Sequence, residues 1–122
     1  METDIIQKQA NLIRAILNLS GLEKITANSG KIHKVFYDLK QEFPEYFKRL
    51  MFDTNGHIPV SEDLDEILFT FKLSGRIYWD GCRHYKLCRE EESKFIKELE
   101  NNYLKEIPKI KEIADKFRGY IQ

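Results

Sequence analysis

The residues best equipped for chemistry lie between Ser61 and Arg89, which read SEDLDEILFTFKLSG and then RIYWDGCRHYKLCR. Cys82, His84 and Cys88 carry donor atoms suited to zinc, with His57 and His33 as further candidates. A C-x-H-x3-C run is not a ligand spacing that closes a tetrahedral site, and an extended strand spreads such residues apart. The same cysteines lack the helix N-terminus and the orienting acid that would activate a thiol nucleophile. An extended segment holds Cys82 and Cys88 roughly 20 Å apart, beyond disulfide reach, so two free thiols in a reducing compartment are expected. No catalytic, metal or cofactor role is read here, and the expectation is a protein that is not an enzyme.

Two charged groups remain. Glu62, Asp63, Asp65 and Glu66 crowd the start of a helix behind Ser61, a good N-cap. The helix dipole favours anions there, so capping is the plain reading, and an acidic surface for a basic protein partner is the functional one. In a helix-turn-helix DNA reader this end approaches phosphates, which four carboxylates would repel. Arg76, Tyr78, Arg83, His84, Lys86 and Arg89 form a basic and aromatic hairpin that could hold phosphate or stack on bases. The plain alternative is a solvated hairpin face. If duplex DNA is bound, Lys31, Lys34, Arg76, Arg83 and Lys86 must bind it.

Charge and size narrow the classes. The 122 residues carry 20 basic and 20 acidic side chains, so the basic excess of a dedicated nucleic-acid binder is missing. The distribution is uneven: residues 53–75 hold 1 basic and 5 acidic groups, and residues 76–89 hold 4 and 1. At 42% hydrophobic and 33% charged residues, the composition is that of a folded domain with one core. No apolar run approaches the roughly 18–20 residues needed to span a bilayer. The opening METDIIQKQA resembles no signal or transit peptide, so no membrane association and a cytoplasmic location are expected.

The elements that position these groups follow from periodicity. A first helix is predicted from about Asp4 to Ser20, with Ile5, Gln9, Leu12, Ile13, Ile16 and Leu17 on one face and Gly21 as its stop. A polar loop, Thr26–Gly30, leads to a second helix with Ile32, Val35, Phe36 and Leu39 inward, ended by Pro44. One or two helical turns follow in EYFKRLMF, then a turn at Asn55-Gly56. Leu64, Ile67, Leu68 and Phe71 form the buried stripe of the next helix, which Gly75 closes. For the hairpin, a two-residue loop would mix apolar and charged groups on each face. A three-residue loop, Asp80-Gly81-Cys82, sets Ile77, Trp79, Tyr85 and Leu87 on one face, with Arg83 opposite Trp79, and is the expected register. Trp79 is expected to anchor the core beneath it.

From Glu91 to Ile121 the pattern is helical, and Pro108 must kink it or begin a second helix. This tail either folds back on the first helix or forms a homodimer seam through residues 91–121. The expected fold is α+β, mostly α: a winged-helix-like domain over residues 1–90, with a short β-hairpin wing and a long C-terminal helix. Within it, KIHKVFYDLK and FDTNGHIPVSEDLDEILFTFKLSGRI resemble Panacea-type antitoxin domains over roughly residues 30–78. Lys31, Lys34, Phe36 and Tyr37 carry the first part of the likeness. Phe52, Gly56, Pro59, Ser61, Leu64, Leu73 and Gly75 carry the second, although His57 and Ile58 separate a glycine and proline that the family tends to join. The resemblance implies a non-catalytic, antitoxin-like regulator acting through protein–protein contact. A dimeric winged-helix DNA-binding transcriptional regulator is the alternative expectation.

Overall fold

The computed structural model of the chain describes residues 8–88 and 92–122. Asp4, Ile5, Arg89 and Glu91, used in the expectations above, lie outside the described residues. Among the described residues five helices and three strands follow one another as α1 Gln9–Leu19, β1 Lys24–Thr26, α2 Ser29–Glu42, α3 Glu62–Leu73, β2 Ile77–Trp79, β3 His84–Leu87, α4 Glu92–Asn102 and α5 Ile107–Ile121. The protein is therefore α+β and mostly helical, with one three-stranded antiparallel sheet ordered β1-β3-β2.

Local chemistry accounts for most helix boundaries. The Ser61 hydroxyl accepts the Leu64 N–H at 3.1 Å, as the cap position predicts. Asn28 does the same for α2, its side chain accepting the Lys31 N–H at 3.0 Å. Gly21 and Gly75 follow the ends of α1 and α3 with φ of +76° and +77°, left-handed values that glycine adopts without penalty. Pro108 sits in the first turn of α5, where its missing donor costs nothing, so the tail is two helices rather than one bent rod.

The core lies where α1, α2 and α5 meet. Leu12, Ile13 and Ile16 of α1, Ile32, Phe36 and Leu39 of α2, and Ile110, Ile113 and Phe117 of α5 are all buried. The Phe36 ring lies 5.4 Å from Phe117 and 6.3 Å edge-on from Phe47, within the range of favourable aromatic packing. Gln9, the polar break in the α1 face, is buried too, and its amide donates to the Tyr46 carbonyl at 2.9 Å. Since the apolar stripe of α5 is enclosed by α1 and α2, it is core within one chain. Of the two arrangements expected for the tail, residues 107–121 take the one folded back on the first helix.

Three further expectations change. The stretch before α2 is not wholly a loop: Lys24, Ile25 and Thr26 pair with Lys86, Tyr85 and His84, making β3 the central strand. The hairpin keeps its expected faces but shifts by two residues, so Trp79 faces Tyr85 and Ile77 faces Leu87. Asp80 causes the shift, since its carboxylate accepts the N–H groups of Cys82 at 2.8 Å and His84 at 3.2 Å. Its own N–H bonds the His84 carbonyl at 2.9 Å. Arg83 therefore lies in the turn rather than opposite Trp79. Finally, Trp79 does not anchor the core. Ile77, at the root of β2, is 1% exposed, whereas Trp79, two residues nearer the tip, is 60% exposed. Its face points the expected way, but the strand runs past the edge of the core.

Candidate functional site

α3 and the strands after it present the most distinctive surface. Its inner stripe of Leu64, Leu68 and Phe71 is buried, which turns Glu62, Asp65, Glu66, Phe69 and Leu73 outward. The outer face is thus acidic in its first half and apolar in its second. Phe69 is 59% and Leu73 74% exposed, two large apolar side chains left in water one turn apart on the same helix face. Lys72, the neighbour of Leu73, lies over the Tyr85 ring at 4.7 Å and lines a groove with Trp79, Tyr78 and Tyr85. Lys72 therefore connects the end of α3 to the aromatic groove of the hairpin.

The four acids do not act alike. Asp63 accepts the Met51 N–H at 2.9 Å and pins the turn before loop 53–60. Asp65 lies 3.0 Å from Nε2 of His33, a buried ring whose Nδ1 meets the Ser29 carbonyl at 2.9 Å. These two join α3 to its neighbours. Glu62 and Glu66 are exposed and form no ion pair among the described residues, so their charge is not offset within the chain as that of Asp65 is by His33.

The basic hairpin divides as well. Tyr78 and Lys86 are register partners on the outer sheet face, and β1 adds Lys24 on the other side of Lys86. Arg83 is exposed in the turn, and His84 is half-buried, 3.8 Å from Asp80. The N–H groups of Cys82 and His84 hold the Asp80 carboxyl below the usual carboxylate range. Arg76 leaves this group. It donates to the Ser74 hydroxyl at 2.6 Å, and its Nε lies 3.7 Å from the Glu92 carboxylate at the root of the hairpin.

Glu92 is the most strongly engaged carboxylate of the described residues. Arg14 donates to both its oxygens, at 2.7 and 2.9 Å, and the Asn18 amide adds a bond of 2.7 Å. Burial alone would raise its carboxyl pKa, but the Arg14 and Asn18 bonds outweigh burial and hold it below the ordinary value of 4.5. The Arg14 guanidinium also stacks on Phe95, 4.0 Å from the ring centre. This cluster ties the start of α4 to α1 and is spent on internal bonds.

Lys31 and Lys34, one turn apart on α2, do not join the sheet face. They line a separate groove of about 570 Å³ between α2 and loop 53–60. Lys34 pairs with Asp38 at 2.8 Å, while Lys31 has no ion-pair partner among the described residues. Among the described residues no set of three His, Cys, Asp or Glu side chains is placed to hold a metal, and no helix is long and apolar enough to cross a membrane. Cys82 and Cys88 are free thiols.

Sequence reasoning missed Lys24, Phe69, Leu73 and the exposure of Trp79. Phe69 and Leu73 were legible as large apolar residues left over once the buried stripe of α3 was drawn. Lys24 was not, because nothing local announces a three-residue strand. No protein-family model, no curated protein and no solved structure matches the chain.

Proposed function

We propose that the chain is a non-enzymatic, winged-helix binding module with an antitoxin-like regulatory role, acting through protein–protein contact. The helix, strand, two helices and hairpin of residues 9–87, with sheet order β1-β3-β2, support the winged-helix reading, as does the position of α3 directly before the hairpin. One observation carries the functional reading. The outward face of α3, where a winged-helix DNA reader would meet phosphate, carries Glu62 and Glu66 and then Phe69 and Leu73. Carboxylates repel a phosphate backbone, and bare leucine and phenylalanine gain nothing from it. A protein surface with apolar residues flanked by lysine or arginine satisfies both halves.

The test is affinity capture with cross-linking from the source cell, followed by purified binding. The double variant Phe69→Ser, Trp79→Ala should lose the captured partner, while Lys86→Ala keeps it. Retention of the partner by the double variant would refute the α3 face as the contact.

A rival rests on the juxtaposition of Lys24, Lys86 and Tyr78 on the outer sheet face, which suits phosphate contact by a DNA-binding regulator. It requires duplex binding that weakens steeply with salt and is lost in Lys24→Ala, Lys86→Ala.

A further inference from the structure

We infer that the groove between α2 and loop 53–60 binds a phosphate monoester with a flat organic body, of the size and chemistry of a nucleoside monophosphate. This site is separate from the α3 face and does not depend on the role proposed for that face.

The groove has the ingredients in the right proportion. Its volume of about 570 Å³ falls in the range of small-ligand sites, roughly 300–1,000 Å³. Lys31, Lys34 and His57 line it, and no carboxylate does. The positive end of α2 adds to this field, since no acid occupies its first turn. Lysine ammonium groups with rotatable donors suit the several oxygens of a phosphate, and the bidentate arginine typical of carboxylate recognition is missing. Lys34 is shared with Asp38, but that exposed pair is weak enough for an incoming dianion to compete with. Asn28 and Thr54, also in the lining, add polar groups that could hold a sugar hydroxyl.

The rest of the lining is organic. Tyr37, Ile58 and Pro59 provide an aromatic and apolar wall. The Tyr37 ring is held by an edge-on contact with Phe52 at 5.5 Å, so it is set before a ligand arrives. The opposite wall is fixed too. Asp53 and Val60 exchange backbone hydrogen bonds of 2.7 and 3.0 Å, and the Asp53 carboxylate accepts the Asn55 N–H at 2.9 Å. Gly30 lets this wall approach α2, because a Cβ there would stand only 3.0 Å from the Ile58 side chain. Glycine in a helix is a local cost, and here it gives the loop a close seat.

The test titrates AMP, GMP, CMP and UMP into the full chain by calorimetry at low ionic strength, with inorganic phosphate and adenosine as controls. At least one nucleotide should bind saturably and about tenfold tighter than either control, since both halves of the ligand are used. Lys31→Ala, Lys34→Ala should weaken it by about tenfold or more, as should Ile58→Asp, which places a carboxylate at the mouth. All three positions are exposed, and matched thermal melts would confirm that the variants fold. Binding no tighter than inorganic phosphate, no saturable binding of any of the four, or indifference to both variants would overturn the inference. So would displacement of a bound nucleotide by duplex DNA through the same lysines, which would assign them to nucleic acid instead.

Discussion

Glu92 shows how far one side chain departs from the role its sequence neighbourhood suggests. It lies in a run of glutamates that reads as a solvated helix start, yet its side chain is 7% exposed and receives two bonds from Arg14 and one from Asn18. A buried carboxylate so placed is costly to orphan and costly to remove from its partner. Glu92→Gln should lower the unfolding free energy by about 3 kcal/mol near neutral pH, since it leaves Arg14 without its counter-charge. The pH dependence has a definite sign. Unfolded, Glu92 titrates near 4.5; folded, it titrates lower, so the unfolded chain binds the extra proton first as acid is added. The contribution is complete above the unfolded value and is lost as pH falls through the depressed folded one. Urea midpoints measured from about pH 7 down to about pH 3 should fall less steeply in Glu92→Gln than in the parent. A second residue-scale expectation concerns Tyr46. Burial, together with its 2.7 Å bond to Glu106, pushes its hydroxyl pKa well above the usual tyrosine value. Tyr46→Phe should cost about 1.5–3 kcal/mol in the same assay, the range for a bond to a charged acceptor.

At the scale of elements, α5 decides whether residues 92–122 are an appendage or part of the fold. Phe117 is 0% exposed and packs on Phe36 across the α2–α5 contact. Phe117→Ala should cost about 3–5 kcal/mol, a large share of a small domain's stability, whereas Leu104→Ala, in the exposed turn before α5, should stay within about 0.5 kcal/mol. A Phe117→Ala protein with unchanged denaturation midpoint would mean that α5 is not core. The same comparison explains what the sequence could and could not disclose. Ser61, Gly21 and Gly75 were legible because caps and stops are set by a few adjacent residues. The α3 stripe was legible because its period is local. β1 was hidden, because Lys24–Thr26 becomes a strand only through pairing with β3, some sixty residues away. The hairpin faces were legible from alternation, yet the pairing was not, since Asp80 sets it through the N–H groups of Cys82 and His84. For the same reason the acids near Ser61 read as one cluster. Which of them are spent is decided by Met51 and His33, from other parts of the chain.

For the whole molecule, a formal charge of zero conceals a surface with separated chemistries: acid and apolar side chains on α3, cations on the outer sheet face and in the α2 groove. Trp79, the chain's one tryptophan, stands beside the first of these surfaces, so it can report which of them a partner uses. Being 60% exposed, it should emit as a hydrated indole in the free protein and be quenched readily by iodide or acrylamide. Docking of a protein on the α3 face and hairpin groove should shift that emission to the blue and protect it from quencher. Exposed aromatic anchors of this kind commonly carry a large share of binding energy, so Trp79→Ala should weaken the complex by about 2 kcal/mol, or some thirtyfold. Because the ring contributes little to the core, thermal stability should change far less. Duplex DNA on the Lys24–Lys86 face would leave a different record, with affinity falling steeply as salt rises. An indole already shielded in the isolated protein, or one whose emission and quenching ignore the bound partner, would remove the apolar half of the proposed contact.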